Sequence, residues 1–147
     1  MISIKQTKDI NLIKSILKKD NVYDGLVYDN SPPIDKWTPD IMNTIWFALY
    51  DNQDLAGLIK LSYLNYVLWI PHVIIYKQFR GQGSEGWGKL AAQYMREVYG
   101  AKKFMAMTPY KNAKKYAEKI GFKHVHTLTK SIKKNGELLD QYILEME

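Results

Sequence analysis

The chain has 147 residues, 46% of them hydrophobic and 13% aromatic, and 21 basic against 15 acidic side chains give a formal charge of +6. This apolar content can offset the conformational entropy of folding, which excludes low-complexity and disordered classes. The length fits one domain over residues 1–147 and leaves no room for a second independent core. The absence of cysteine excludes disulfides, thiolate metal sites and an acyl group carried on a protein thiol.

The longest apolar run covers residues 67–76 and contains Pro71 and His72. A membrane-spanning helix needs about 20 apolar residues, so this run is too short. The first nine residues are too polar for a secretory signal. We therefore expect a cytoplasmic protein with no membrane partner.

The charge is divided unevenly along the chain. Residues 111–134 hold eight lysines and one glutamate, a net +7, and the rest of the chain carries −1. Residues 20–54 hold seven aspartates and one lysine, a net −6. Two solvated faces would explain this division. The alternative is an anionic ligand near the lysines and a cationic ligand near the aspartates.

The first residues predict a strand, a helix and a long loop. Residues 2–4 alternate apolar and polar side chains, as strands do. Apolar residues recur at helical spacing over residues 9–19, with Asp9 as the expected N-cap. Residues 21–40 contain three prolines and predict an irregular segment with a short helix after Pro39. Such a long loop is more often functional than idle.

The next segment predicts three strands. Residues 45–50 and 55–64 are rich in β-forming residues and flank a polar turn, which is typical of a hairpin. Residues 67–76 predict a buried strand. Pro71 has no N–H to donate to a ladder, so it indicates a bulge or a locally unpaired edge.

The second half predicts two helices and three strands. The clearest helix starts near Trp87, with apolar residues every three or four positions, and ends at Gly100. A second helix is expected between an Asn112 N-cap and Gly121. A turn at residues 135–136 joins the last two strands. The strands are residues 103–107, 122–132 and 138–146.

A glycine-rich segment, QFRGQGSEGWGK at residues 78–89, follows a buried strand and opens the clearest helix. Such a turn directs backbone N–H groups and the positive end of a helix at an anion, most simply phosphate. The three glycines of a dinucleotide-binding fingerprint are present, but no acidic residue follows between Glu97 and Glu118 to hold a ribose. A P-loop is nearly matched, but Leu90 stands where a hydroxyl must reach Mg²⁺.

The pattern Q-x-x-G-x-G at Gln78, Gly81 and Gly83 resembles a motif of the GCN5-related N-acetyltransferase (GNAT) family. NAKKYAEKIGF at residues 112–122 resembles the later Asn, helix and Gly-Phe signature of that family. The order of predicted elements is also similar over nearly the whole chain. The resemblance implies an α/β (α+β) fold with a mixed, mostly antiparallel sheet of about seven strands and about four helices, splayed at the fourth and fifth strands.

The resemblance further implies an enzyme that transfers an acetyl group from acetyl-CoA to a primary amine by direct attack in a ternary complex, without a metal. In the family the pantetheine arm lies against the splayed strand, and the glycine turn holds the pyrophosphate. The lysines of residues 111–119 would face the 3′-phosphate and pyrophosphate of CoA. The implied cofactor-binding residues are Val73, Ile74, Ile75, Gln78, Arg80, Gly81, Gln82, Gly83, Ser84, Gly86, Asn112 and Lys115.

The catalytic residues are less sharply defined. The family commonly places a proton-donating tyrosine where this chain has Ala117, and Tyr116 lies one residue earlier, a rotation of about 100° on a helix. Tyr116 is therefore either the acid or a core aromatic. His72 is the first candidate base because imidazole titrates near neutrality, with a structural role, or water acting with remote carboxylates, as alternatives. Backbone N–H groups near Val73 and Ile74 would contact the oxyanion.

The resemblance to the family also implies that the first helix and the acidic loop after it, residues 21–40, line the acceptor side. Tyr23, Tyr28 and Trp37 are the candidate substrate-binding residues. The charge there predicts a cationic acceptor: a polyamine, another aminated small molecule, or a lysine or N-terminal amine of a protein.

Two other functions stay open from the sequence. The basic residues 111–134 and their aromatic neighbours are typical of a surface that binds or modifies nucleic acid. A degenerate domain that binds CoA without catalysis would also fit, because the expected tyrosine is displaced. A monomer or a homodimer is expected.

Overall fold

The computed structural model describes residues 1–147. The strands are β1 (Ile2–Thr7), β2 (Thr44–Asp51), β3 (Asp54–Tyr63), β4 (Leu68–Ile75), β5 (Lys103–Thr108), β6 (Lys123–Lys134) and β7 (Glu137–Met146). The helices are α1 (Ile10–Lys18), α2 (Glu85–Tyr99) and α3 (Lys111–Ile120). All strands join one sheet in the order β1-β2-β3-β4-β5-β7-β6, antiparallel except between β4 and β5. This confirms the predicted mixed, mostly antiparallel sheet of seven strands.

The helices differ from the prediction in number and at one boundary. Three α-helices are present instead of about four, and no helix follows Pro39. There the carboxylate of Asp40 accepts hydrogen bonds from the amides of Met42 and Asn43, as a helix N-cap would, but the chain enters β2 at Thr44 before a helical turn can form. Helix α3 starts at Lys111, so Asn112 is inside the helix and is not its N-cap.

Helix α1 covers one face of the sheet. The Asp9 side chain caps it by accepting a hydrogen bond from the Leu12 amide at 3.1 Å, as expected. Ile13, Ile16 and Leu17 have no exposed surface and pack on side chains of β2, β3 and β4. The segment that follows α1 is thereby held above this face, next to β4.

Helices α2 and α3 cover the opposite face. Trp87, Ala91 and Met95 of α2 are buried against the sheet, together with Ala117 of α3. Gly100 ends α2 in a left-handed conformation, with φ at 71°. The glycine turn before α2 therefore lies at the edge of this layer, directly after β4.

Strands β4 and β5 pair only at two positions, Leu68 with Lys103 and Trp69 with Phe104. No ladder joins them beyond Trp69, which confirms the predicted splay at the fourth and fifth strands. The β3–β4 register runs without a shift past Pro71. Pro71 therefore makes no bulge in this ladder, and the unpaired edge is the alternative that holds.

Candidate active site

The splay between β4 and β5 opens a cavity of about 860 Å³. On one side it is lined by the first turns of α2 and by α3. On the other side it is lined by residues of the segment after α1. The cavity thus passes through the sheet and connects the glycine turn with the acidic segment.

The backbone of β4 presents unpaired polar groups to this cavity. Tyr76 donates its amide to the Ala56 carbonyl on β3 at 2.8 Å. Because an antiparallel strand alternates the direction of its backbone groups, Ile74 also turns its amide toward β3, whereas Val73 and Ile75 turn theirs toward β5. With β5 splayed away, the Val73 amide faces the cavity. Of the two amides expected to contact an oxyanion, only that of Val73 is in position.

Arg80 forms a hydrogen bond with one of these backbone groups. Its Nε donates a hydrogen bond to the Ile75 carbonyl at 2.8 Å, and its side chain lines the cavity. The guanidinium is thereby held beside the glycine turn. A positive charge is thus fixed close to the end of β4.

The glycine turn leaves three amides without an intramolecular partner. Ser84 and Gly86 donate their amides to the carbonyls of Gly81 and Gly83, at 3.1 and 3.0 Å. The amides of Gly81, Gln82 and Gly83 form no hydrogen bond within the chain. Gly81 and Gly83 have φ values of 125° and 88°, which favour glycine. The turn is therefore built to offer N–H groups to an anion.

The other predicted residues of this region lie in different places. Gln78 is exposed and borders a separate open depression beside Asp20. Gln82 is exposed at the outer rim of the turn. Gly86 does not line the cavity; a Cβ at this position would overlap the side chain of Ile2, so this glycine allows close packing of α2 on β1.

Helix α3 contributes one wall. Asn112, Lys115 and Tyr116 all line the cavity. The Tyr116 hydroxyl donates a hydrogen bond to the Ser84 carbonyl at 2.9 Å. Burial holds the pKa of this phenol far above its usual value, so Tyr116 stays protonated at neutral pH. Tyr116 is therefore a proton-bearing group at the junction of α2 and α3.

His72 reaches the cavity from β4, on the face covered by α1. Burial is the main cause that lowers its pKa to about 4, and the charge of Lys60 adds to this effect. A hydrogen bond with the backbone of Gly25 partly opposes it. His72 is therefore uncharged at neutral pH and able to accept a hydrogen bond through one ring nitrogen.

Lys60 is the residue paired with His72 on β3. It is half-buried, and its ammonium lies 5.8 Å from the centre of the Trp46 ring. Burial lowers the pKa of Lys60, and Asp40 partly offsets this. A cation thus stands directly behind the acceptor side of the cavity.

Of the three aromatic residues expected to bind the acceptor, only Tyr28 lines the cavity. Tyr23 is buried; its hydroxyl donates to the Pro32 carbonyl at 2.6 Å, and its ring lies 5.4 Å from that of Trp37. Trp37 packs in turn on Trp46. Tyr23 and Trp37 form the packing that supports this loop.

Several lining residues were not predicted individually. Asp20 and Asn21 border the cavity with consecutive φ values of 53° and 52°, a conformation that costs energy outside glycine. Asp24 borders it as well. The acidic run in the sequence marks this region, but no local pattern shows which carboxylates turn inward. Tyr110 also lines the cavity without a distinct sequence signal, whereas Lys119 belongs to the lysines expected to face CoA.

The turn between β6 and β7 fastens the acidic loop. Lys134 is 8% exposed, and its Nζ donates to the carbonyls of Asp24 and Val27 at 2.6 and 2.8 Å. The same Nζ lies 3.1 Å from Oδ1 of Asp24. One lysine of the basic segment therefore pairs with one aspartate of the acidic segment.

A second contact holds the same turn. The Asp29 carboxylate accepts hydrogen bonds from the amides of Asn135 and Gly136 at 2.9 and 2.8 Å. These bonds are the main reason that the pKa of Asp29 is lowered. The Asp29 amide in turn donates to the Lys133 carbonyl at 3.1 Å. The loop wall beside the cavity is thus fixed at two successive points.

No group of three or more His, Asp or Glu side chains is arranged to hold a metal ion. None of the helices combines the length and the apolar character needed to cross a bilayer.

The sequence matches no protein-family model and no curated protein sequence. In structure, the chain is similar to spermidine N-acetyltransferase from Vibrio cholerae in complex with CoA and spermine, with a TM-score of 0.78 and 17% identity over 99% of this chain and 94% of that one. It is also similar to a probable acetyltransferase, with a TM-score of 0.76 and 18% identity over 99% of this chain and 92% of that one. The chain therefore has the fold of the GCN5-related N-acetyltransferases.

Proposed function

We propose that this protein is an acetyl-CoA-dependent N-acetyltransferase that acts on a cationic primary amine by direct attack in a ternary complex. One observation carries the proposal. The unpaired edge of β4 leads through one 3₁₀ turn at Lys77–Phe79 to a turn whose amides lack partners, and the adjoining cavity opens on its far side to aspartates. This arrangement suits one elongated anionic ligand and one cationic ligand that meet at the strand.

The residues present fit acetyl-CoA. The amide of Ile75, which like that of Val73 points toward β5 and has no partner, suits the amide groups of a pantetheine arm, which would continue the sheet where β5 leaves it. The amides of residues 81–83 and the guanidinium of Arg80 suit a pyrophosphate. Lys115 and Lys119 add positive charge on the same side of the cavity. Asn112 is in position for a polar contact with the pantetheine.

When bound, acetyl-CoA supplies an activated acetyl group as a thioester. The Val73 amide would donate a hydrogen bond to the carbonyl oxygen as negative charge develops on it. Tyr116 holds a proton at neutral pH and would deliver it to the departing sulfur, exchanging its bond to Ser84 for this one. His72 is uncharged and would accept a hydrogen bond from the attacking amine.

Because the pKa of His72 is so low, this residue is a weak base. The amine must therefore lose most of its charge before or during attack, and transfer will be faster at higher pH. The acidic wall draws the protonated amine into the cavity, where Asp20 and Tyr28 lie on the entry side. The similar protein from Vibrio cholerae was crystallised with spermine, which agrees with an amine acceptor on this fold.

Two measurements test the proposal. Isothermal titration calorimetry with acetyl-CoA should show binding, and CoA should bind at the same site. Release of free thiol should then be followed with a panel of primary amines and with anionic compounds as controls. We expect turnover on amines alone. Absence of acetyl-CoA binding, or turnover only on anionic compounds, would contradict the proposal.

The same pair of measurements separates the non-catalytic alternative. One observation favours this alternative: the Tyr116 hydroxyl already donates its proton in a hydrogen bond to the Ser84 carbonyl, and catalysis would require that proton. Acetyl-CoA binding without turnover on any amine would establish a CoA-binding protein that does not catalyse transfer.

A further inference from the structure

We infer that Lys134 fills, from within the chain, an ammonium site on the acceptor wall, and that the acceptor is consequently a primary amine with a single positive charge and not a polyamine. The inference rests on the proposed acetyltransferase function and specifies its substrate class.

The surroundings of Lys134 are those of a bound ammonium ion. Its Nζ has three oxygen partners at 2.6 to 3.1 Å: two backbone carbonyls and the carboxylate of Asp24. A lysine ammonium has three N–H donors, so this set satisfies it completely. Only 8% of Lys134 is exposed, whereas the Asp24 side chain is 62% exposed. Asp24 also borders the cavity. The ammonium thus sits behind the carboxylate that an acceptor would meet.

This pair is held in place by the fold. The next two residues, Asn135 and Gly136, donate their amides to the Asp29 carboxylate. The preceding residue, Lys133, accepts a hydrogen bond from the Asp29 amide through its carbonyl. Exposed ion pairs contribute little because their side chains are free to move apart. Here the backbone of the turn fixes the lysine, so Asp24 is paired whenever the loop is folded.

The pairing of Asp24 with Lys134 reduces the net negative charge that an acceptor meets. Only two carboxylates line the cavity, those of Asp20 and Asp24. With Asp24 paired, Asp20 is the one left to attract a cation. Lys60 lies behind His72 on the same side and opposes a second positive charge. A polyamine would bring several ammonium groups to a wall that offers one unpaired carboxylate.

The first test is acceptor selectivity. We expect the wild-type protein to acetylate butylamine with a kcat/KM at least about tenfold above that for spermidine, and Lys134→Met to shift this ratio toward spermidine by about tenfold or more. Lys133→Met changes an exposed lysine of the same turn and should leave the ratio unchanged. In the double variant Asp24→Asn, Lys134→Met, the wild-type preference should return because no free carboxylate remains.

A wild-type preference for spermidine would overturn the inference. So would a Lys134→Met variant that loses activity on both amines in equal proportion, since that is the result of a purely structural role. If the wild type acetylates no amine at all, the proposed function fails, and the ammonium site is then judged by the following measurement alone.

The second test does not depend on activity. Lys134→Ala should lower Tm, and propylammonium chloride should restore part of the loss by entering the vacated site. Sodium chloride at equal ionic strength should restore less. In the wild type and in Lys133→Ala, the two salts should change Tm by the same amount. Equal responses of all three proteins to both salts would show that no ammonium site exists at Lys134. Should Lys134→Ala fail to fold, Lys134→Gly in the presence and absence of butylammonium during refolding gives the same comparison as a yield of folded protein.

Discussion

The Tyr116 hydroxyl donates a hydrogen bond to the Ser84 carbonyl at 2.9 Å, which ties α3 to the turn that opens α2. The bond brings a protonated phenol to the place where the glycine turn, the end of β4 and α3 converge on the cavity. Tyr116 lies one residue before Ala117, where the family commonly has its tyrosine, and its side chain nevertheless reaches the cavity.

Replacement of this phenol tests its role as proton donor. We expect Tyr116→Phe to lower kcat by about 100-fold while the Kd for acetyl-CoA changes by less than about twofold. Tyr94→Phe is the control, because Tyr94 also loses a hydroxyl bond, to Gln6 at 3.0 Å, but lies outside the cavity lining. An unchanged kcat in Tyr116→Phe would leave Tyr116 a packing role only.

A bulky side chain in the glycine turn should weaken acetyl-CoA binding, because it would keep the ligand away from the free amides of residues 81–83. Gly83→Val introduces a branched side chain at a φ of 88° and should reduce the affinity for acetyl-CoA by at least about 100-fold, measured by calorimetry. Gly100→Val is a matched control, since Gly100 also has a positive φ and open space where a Cβ would stand, but ends α2 far along the helix. Equal affinity losses in both variants would mean that the phosphate site lies elsewhere.

The low pKa of His72 predicts a specific acid sensitivity. Between pH 6.5 and about 4 the unfolded chain binds a proton at His72 that the folded protein does not, so the free energy of unfolding falls as the pH falls through this window. His72→Gln removes this difference, and its unfolding free energy should depend less steeply on pH than that of the wild type. Urea denaturation at about pH 4.5, 5.5 and 6.5 gives the slopes. His126→Gln, an exposed residue of β6, should follow the wild type.

The pH dependence of activity should also reflect the low pKa of His72. With His72 uncharged above about pH 4, kcat/KM should rise with pH toward the pKa of the acceptor amine and show no inflection from imidazole near pH 6.5. A clear inflection there that His72→Gln abolishes would show that His72 titrates normally during catalysis.

Gly57 on β3 should be required for the position of β4. A Cβ at this residue would overlap the carbonyl oxygen of Ile74, which is backbone and cannot move without separating the strands. We expect Gly57→Ala to destabilise the protein by about 1–3 kcal/mol in urea denaturation, as overpacking does. Gly25→Ala, where a Cβ meets no atom within 4 Å, should change stability by less than about 0.5 kcal/mol. Similar values for the two variants would contradict the prediction.

Much of the fold could be predicted because local patterns and tertiary packing agree. The β-forming runs of β2 and β3, the Asp9 cap of α1 and the Gly100 end of α2 each act within a few residues. The short helix after Pro39 was wrong because the Asn43 carbonyl pairs with the Tyr63 amide and β2 begins at Thr44, before a helical turn can form. Pairing with another strand decides this outcome, and local periodicity does not show it.

The site was less predictable because its walls come from distant segments. The glycine turn and Asn112 could be placed near the cavity from short motifs, because each motif lies in one continuous segment of the chain. The pairing of Lys134 with Asp24 joins positions 110 residues apart. Likewise, whether Tyr28 or Tyr23 turns toward the cavity depends on how the loop packs on Trp37 and the sheet. Sequence composition marks such a loop as acidic and aromatic but does not orient it.

The seam between β4 and β5 also divides the molecule mechanically. Two residue pairs are the whole ladder between the first four strands and the last three, so each half of the sheet is held mainly by its own antiparallel bonds. Within the sheet, opening at this seam would break only the few hydrogen bonds of these two pairs. Outside the sheet, the bonds of Lys134 to Asp24 and Val27, and those of Asp29 to the turn at residues 135–136, also join the two halves and would have to break. The width of the channel is thus governed by contacts outside the sheet, and the strands on either side can stay intact while it changes.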